Sequence, residues 1–153
     1  MPHATSASIQ ARQRWMAILA KARPDELERA WRALADPPSY TFLRRPELGL
    51  VMLRGRMGGE GAPFNFGELT VTRCSVRLEG GMVGHATVAG RSPRRAELAA
   101  AFDALMQDRN RAANGEAVAI APLASAQQER RREASCKTAA TRVEFFTLAR
   151  GED

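Results

Sequence analysis

Residues 68–89 read ELTVTRCSVRLEGGMVGHATVA, and the fold class turns on this stretch. β-Branched and aliphatic residues crowd both sides of Glu79-Gly80-Gly81, which is the composition of two strands joined by a hairpin. On the first strand Arg73 and Arg77 fall on one face, while Cys74 alternates onto the other and reads as core. Working outward, the runs Tyr40–Arg44, Leu48–Arg56, Glu68–Leu78 and Met82–Ala89 are punctuated by Pro and Gly. They predict four strands, mostly antiparallel and arranged as a meander.

The period changes on either side of these runs. Trp15, Ile18, Leu19 and Ala22 recur at helical spacing, predicting a helix over 7–22 with Thr5, Ser6 or Ser8 as its cap. Pro24 suits the first turn of a second helix, whose positive end Asp25, Glu26 and Glu28 complement. Leu27, Ala30, Trp31 and Leu34 form its stripe, and Asp36-Pro37-Pro38 stops it. After the strands, Ser92-Pro93 reads as N-cap and first residue of a helix burying Leu98, Ala101, Phe102, Leu105 and Met106 on one side. Asn114-Gly115 reads as the end of the following loop. A polar helix is expected from Ser125 to about Ala140, either docked on something else or solvated. Val143–Leu148 (VEFFTL) reads as a final strand, and residues 1–6 are expected to be disordered. The chain, 1–153, is thus read as one α+β domain: an antiparallel sheet of about four to five strands with N-terminal and C-terminal helices packed on it.

With 153 residues, 44% hydrophobic and 26% charged, the chain has the length of one domain and enough apolar content for a core, which excludes wholesale disorder. No stretch approaches the roughly 20 apolar residues of a membrane span. The opening MPHATSASIQARQRW lacks the charged start and apolar run of a signal peptide, so a cytoplasmic location without a membrane partner is expected. Two cysteines, Cys74 and Cys136, and two histidines, His3 and His85, are too few for a disulfide framework or a self-contained zinc site. Of the 23 basic residues only Lys21 and Lys137 are lysines, and against 17 acidic residues the net charge is +6. The arginine skew fits a GC-rich coding sequence as well as bidentate contacts to phosphate or carboxylate. The charge suits nucleic acid, nucleotide or an acidic protein partner.

The densest feature is RGRMGGEGAPF at 54–64. Glycine-rich loops let backbone N–H groups approach phosphates, but this one lacks the Gly-Lys-Ser/Thr ending of a P-loop and leads to a strand where the dinucleotide fingerprint needs a helix. Two readings stay open: a wide connection with several positive φ angles, or a loop on an anion or a partner backbone, with Gly58 and Gly59 as candidates. Arg54 and Arg56 project to one side of their strand, as Arg73 and Arg77 do of theirs. In one sheet the four would form a basic patch, solvated or facing an acidic or phosphorylated surface. Gly90-Arg91-Ser92-Pro93-Arg94-Arg95 sets three arginines, Arg91 among them as a candidate contact, at a helix N-terminus. Anions bind there, and without one the cations need counter-charge, which surface ion pairs to Glu97 or Asp103 would supply. His85 has no Ser, Cys or Asp at a telling spacing and reads as a half-buried structural histidine. No nucleophile elbow, HExxH helix or carboxylate pair stands out, so no residue is assigned as catalytic or metal-binding.

ARQRWMAILA at 11–20, ARPDEL at 22–27, RMGGEGAPFNFGELTVTRCSVRLEGGMVGHATVAGR at 56–91, AELAAAFDALMQ at 96–107, IAPL at 120–123 and TRVEFFTLARG at 141–151 follow in order. Together they resemble the PhnG family, the G subunit of the carbon–phosphorus lyase core complex of bacterial phosphonate metabolism. The likeness covers almost the whole chain. RMGG, TVTR with VRL, and FFTLARG are its specific elements.

The resemblance implies a subunit that works with the H, I and L subunits to move the ribose triphosphate unit of MgATP onto an alkylphosphonate, releasing adenine. It implies stable partners in the H, I and J subunits, with the L subunit needed functionally, and no DNA or RNA partner. The J subunit, with an iron–sulfur cluster and S-adenosylmethionine, then acts on the product. Nucleosidase-type chemistry is implied for the I subunit, which leaves this chain required but non-catalytic and without a cofactor of its own. A chain made for a permanent assembly is expected to expose an apolar patch and to be capable of self-association when isolated. The rival from composition is a stand-alone basic nucleic-acid- or nucleotide-binding domain, which asks for aromatics interleaved with basic groups. Of the nine aromatics, Phe64 and Phe66 are the exceptions to a pattern that looks buried.

Overall fold

The computed structural model describes residues 6–58 and 60–140. Two helices, α1 (Ser6–Lys21) and α2 (Pro24–Arg32), precede three strands, β1 (Tyr40–Gly55), β2 (Phe64–Leu78) and β3 (Val83–Ala89). Helix α3 (Pro93–Gln107) follows, and then α4 (Ala112–Gly115) runs through a π-helical turn (Glu116–Ile120) into α5 (Ala121–Ala140). The strands form one antiparallel sheet in the order β1-β2-β3. The architecture is α+β, with N-terminal and C-terminal helices about the sheet.

Among the described residues the sheet has three strands where the patterning predicts four or five. Tyr40–Arg44 and Leu48–Arg56 are one strand, β1. Pro46 reads as a break because it has no N–H to give a ladder, but among the described residues β1 is an edge strand, where that loss is tolerated. The ladder absorbs the disturbance as two irregularities, between Phe42 and Arg44 and between Arg44 and Glu47, each placing one extra residue on β1. The strand expected at 143–148 lies outside the described residues, as do residues 1–5, and Ser6 already belongs to α1. The β2–β3 connection is the hairpin that Glu79-Gly80-Gly81 announces. Gly81 takes φ of 85° and donates its N–H to the Leu78 carbonyl at 2.8 Å, a backbone conformation that favours glycine.

Helix α3 is the centre of the core. Cys74, Val76 and Leu78 of β2 and Gly84, Ala86 and Val88 of β3 share the buried sheet face, on which α3 packs. The helix is buried from Leu98 to Met106 on every side, not on one side as its Leu/Phe stripe predicts. The alanines between the large residues let α1 and α2 approach as well. Close approach also explains two glycines. A Cβ at Gly84 would lie 1.9 Å from the Ala100 carbonyl oxygen, so the sheet and α3 meet there backbone to backbone. Gly115 sits inside a continuous helical run rather than at the end of a loop, and its missing side chain makes room for Leu105 and Met106.

An aromatic chain joins the layers: Trp31 meets Phe102 edge-on at 5.3 Å and Tyr40 at 5.8 Å. The polar helix α5 docks through its first half, where Gln127 donates to the Ile18 carbonyl at 2.7 Å and Arg130 pairs with Glu26. From Arg131 to Thr138 it is exposed. Among the described residues no helix is long and apolar enough to cross a membrane.

Candidate functional site

Strands β1 and β2 outrun their third strand. β3 pairs with β2 only from Val71 to Arg77, whereas β1 and β2 stay paired as far as Gly55 and Phe64. Residues 50–58 and 60–70 therefore form a two-stranded arm, about 20 Å long at roughly 3.3 Å per residue, with no other strand on either edge among the described residues.

Strand alternation gives this arm two apolar faces. Leu50 and Met52, with Leu48 below them at the base of the arm, lie on the helix side of the sheet and are 60%, 54% and 55% exposed. On the opposite side, Phe64, Phe66 and Leu69 are 44%, 59% and 39% exposed, beside half-buried Val51 and Leu53. Phe66 is the extra residue where the register slips between Leu53 and Arg54. Its ring covers Gly55, where a Cβ would stand 3.0 Å away, and meets Phe64 edge-on at 6.2 Å. At the tip, Gly58 has φ of 66°, Arg56 donates to the Gly61 carbonyl at 3.3 Å, and Met57 is exposed. Gly59 lies outside the described residues.

The four sheet arginines do not form one patch. Arg54 stands opposite Asn65 near the tip, while Arg73 stands opposite Glu47 at the base. Seven residues along β1 separate those positions, about 23 Å, and alternation puts the two side chains on opposite faces. Arg73 lies over Gly49 with Nη2 3.7 Å from Glu47, a carboxylate that Arg44 also approaches at 3.5 Å. Arg77 is exposed in the row of Thr41 and Val83.

The arginines before α3 divide in the same way. Arg94 pairs with Glu28 at 2.6 Å and Glu97 at 2.9 Å, and the Glu28 bond is the largest influence raising its pKa. The same contact holds the Glu28 carboxyl below its usual range. Arg95 donates to the Ala89 carbonyl at 2.8 Å, and Arg91 is exposed. Asp103, expected as a surface counter-charge for these groups, is fully buried and pairs with Arg12 instead. The turn itself is held by a residue that sequence reasoning passed over. Buried Thr72 donates to the Gly90 carbonyl at 2.7 Å and accepts from the Ser92 N–H at 3.0 Å.

A second pair also escaped the sequence reading. Ser75 and His85 are direct cross-strand neighbours, with the hydroxyl oxygen 2.8 Å from Nδ1 on the exposed side of the sheet. Counting the register outward from Glu79-Gly80-Gly81 is the signal that would have found it. The main-chain N–H of His85, not its ring, meets Asp103. Beside it, a groove of about 610 Å³ is lined in part by Arg12, Trp15, Met16, His85, Met106 and Gln107. Arg12, Trp15 and Gln107 all turn donors toward Asp103, so these three polar groups of the groove already have a buried acceptor. Among the described residues no group of three or more His, Cys, Asp or Glu is placed to hold a metal ion.

Residues 10–151 match the family described as phosphonate metabolism protein PhnG. The chain belongs to the PhnG family. A relative from Rhizobium meliloti (strain 1021), named alpha-D-ribose 1-methylphosphonate 5-triphosphate synthase subunit PhnG, is 49% identical over 147 residues, covering 96% of this chain and 94% of that one. The PhnG match takes in the arm as well as the helical core. Within the arm Arg54 and Arg56 balance Glu60 and Glu68, so the +6 charge of this PhnG chain resides on the rest of the molecule. The arm is thus an apolar and electrically neutral projection from a basic body.

Proposed function

We infer that this PhnG-family chain is a required, non-catalytic subunit of an alpha-D-ribose 1-methylphosphonate 5-triphosphate synthase. In this reading it works with the H, I and L subunits to transfer ribose triphosphate from MgATP to an alkylphosphonate, with release of adenine. The observation that carries the reading is its 49% identity, across 96% of its length, to a protein bearing that subunit name. Its stable partners are the H, I and J subunits, in the cytoplasm. MgATP is a substrate of the assembly, and the iron–sulfur chemistry belongs to the J subunit. Arg54, Arg56 and Gly58 at the arm tip, Arg73 at its base, Arg91 before α3, and Gly59 next to Gly58 in the sequence are the proposed contacts to a partner or its phosphate-rich substrate.

The arm supports a subunit role, because a stand-alone protein seldom leaves apolar residues on both faces of a ribbon in water. It weighs against a nucleic-acid platform. Phe64 and Phe66 meet edge-on instead of presenting parallel stacking surfaces, and their neighbours Val51, Leu53 and Leu69 are aliphatic.

The test is co-expression with the other phosphonate-operon subunits, followed by affinity purification and an adenine-release assay with MgATP and methylphosphonate. The I subunit is expected to co-purify, and phosphonate-dependent adenine release to vanish without this chain and return when it is added. A chain that purifies alone and leaves that reaction unchanged would overturn the reading.

A further inference from the structure

The arm calls for an occupant on physical grounds. A two-stranded ribbon is marginally stable in water on its own, yet here it continues past its third strand with apolar side chains on both faces. At roughly 200 Å² for a fully exposed large side chain, the exposures of Leu48, Leu50 and Met52, of Phe64, Phe66 and Leu69, and of Met57 at the tip amount to about 750 Å². The sum is split between opposite faces, about 340 Å² on the Leu48–Leu50–Met52 side and about 280 Å² on the Phe64–Phe66–Leu69 side, each of the order of the largest apolar patch of an ordinary monomer, about 300–600 Å². The whole approaches the share, about 800 Å², that one partner contributes to a standard stable interface.

We propose that the arm is a two-faced insertion element that enters an apolar cleft, about one ribbon thick, on a different and net-acidic subunit of the same synthase. Two observations select this occupant over a second copy of the chain. A symmetric arm-to-arm contact would cover one face of each ribbon and leave either the Leu48–Leu50–Met52 side or the Phe64–Phe66–Leu69 side in water. A cleft covers both. The body that carries the arm also has the whole +6 charge, so two copies repel while an acidic chain is attracted. The outer edge of β2 from Phe64 to Thr70, unpaired among the described residues, continues the line of β3, so a strand of the partner can extend the sheet there.

The proposal rests on the subunit reading above, and its test keeps the two apart. Wild-type chain is co-expressed with the remaining synthase subunits, alongside Leu50→Lys on one face, Phe66→Lys on the other, and a variant in which residues 52–68 are replaced by Asn-Gly to close Val51 on its partner Leu69. The isolated variants are first compared with wild type by circular dichroism and thermal unfolding. Both point variants should match it, because they alter exposed side chains. In titrations of the purified chain against the remaining subunits, each point variant is expected to bind about a hundredfold more weakly, and the shortened arm to lose binding. The isolated wild-type chain should sediment as a monomer.

If wild type binds and both point variants bind equally well, the arm proposal falls while the subunit reading survives. Loss on one face alone would reduce the arm to a one-sided contact and overturn insertion. A wild-type dimer that becomes monomeric on shortening the arm would assign the arm to a second copy. If wild type itself does not bind, the subunit reading falls and the proposal with it.

Discussion

The main-chain N–H of His85 donates to a carboxylate oxygen of Asp103 at 2.9 Å. His85 is on β3, whose outer edge has no strand beside it among the described residues, and Asp103 is on α3 with no exposed surface. The same carboxylate accepts two bonds from Arg12, at 2.7 and 3.2 Å, and one from the Trp15 indole at 2.9 Å. One buried side chain therefore ties α1, α3 and the sheet edge together.

Asp103→Ala should be among the most damaging single changes, at about 3–5 kcal/mol, because it strands the Trp15 and His85 donors together with Arg12. Arg12→Ala should cost somewhat less, about 2–3 kcal/mol: it leaves the buried Asp103 carboxylate without its counter-charge, but that carboxylate keeps its neutral donors. Urea unfolding of the two variants checks the order. A larger loss for Arg12→Ala would mean that the ion pair, not the set of neutral donors, holds the edge.

Gly84 and Gly115 should respond oppositely to alanine. At Gly84 the new Cβ meets backbone, the Ala100 oxygen at 1.9 Å and the Ala104 nitrogen at 2.5 Å, so helix and sheet must separate and stability should fall by about 3 kcal/mol. At Gly115 it meets Leu105 Cδ2 at 2.5 Å and Met106 Sδ at 2.8 Å, the far ends of side chains that can rotate. The backbone there is helical with φ of −60°, where alanine gains about 1 kcal/mol over glycine. Gly115→Ala should therefore change stability little. Equal losses in thermal unfolding would show that the α4–α5 run is packed as tightly as the sheet against α3.

What could be read from the residues was local. Ser92-Pro93, Pro24 and Glu79-Gly80-Gly81 mark boundaries by chemistry that acts within a few residues, and each boundary falls where the chemistry says. What misled was information about neighbours. Pro46 breaks a central strand but not an edge strand, and position in the sheet is not written locally. Asn114-Gly115 has the form of a turn, but here the pair lies inside a helical run that packs against Leu105 and Met106. Asp103 looked like a surface counter-charge, although its flanks Phe102 and Ala104 leave no polar face around it; that surround was the signal. The four arginines of RGR and TRCSVR lie close in sequence, yet antiparallel pairing sends them to opposite ends of the ribbon. The arm was visible only as two exceptional phenylalanines.

The two cysteines should be separable by reactivity. Cys136 is exposed on α5, whereas Cys74 is buried in β2 with its thiol 3.4 Å from the Arg44 carbonyl. Burial, reinforced by the charge of Glu97, pushes the Cys74 thiol up to about 11, so its thiolate is scarce near neutral pH. A maleimide at pH 7 should modify one thiol quickly and the second only as the protein unfolds. Cys136→Ser should abolish the fast phase. A fast phase that survives in Cys136→Ser would place Cys74 within reach of solvent.

Tyr40 is the single tyrosine of the chain, so ultraviolet titration reads it without interference from another phenol. Its hydroxyl donates to Glu97 at 2.5 Å, and its ring packs between Trp31 and Phe42. Burial first, then the Glu97 carboxylate, raise its pKa to about 12 against the influence of Arg94. An unfolded tyrosine ionises near about 10. Because the folded value is the higher one, folding favours the neutral phenol. This contribution to stability is complete below pH of about 10 and is lost as pH climbs from there through 12. The native titration should accordingly lie well above that of the urea-unfolded chain, and Glu97→Gln should move it back toward 10. Tyr40→Phe should lose about 1 kcal/mol near neutral pH and show a shallower fall in its urea midpoint at high pH than wild type. A native midpoint near 10 would mean that the Tyr40–Glu97 bond is open to solvent, and with it the seam between β1 and α3.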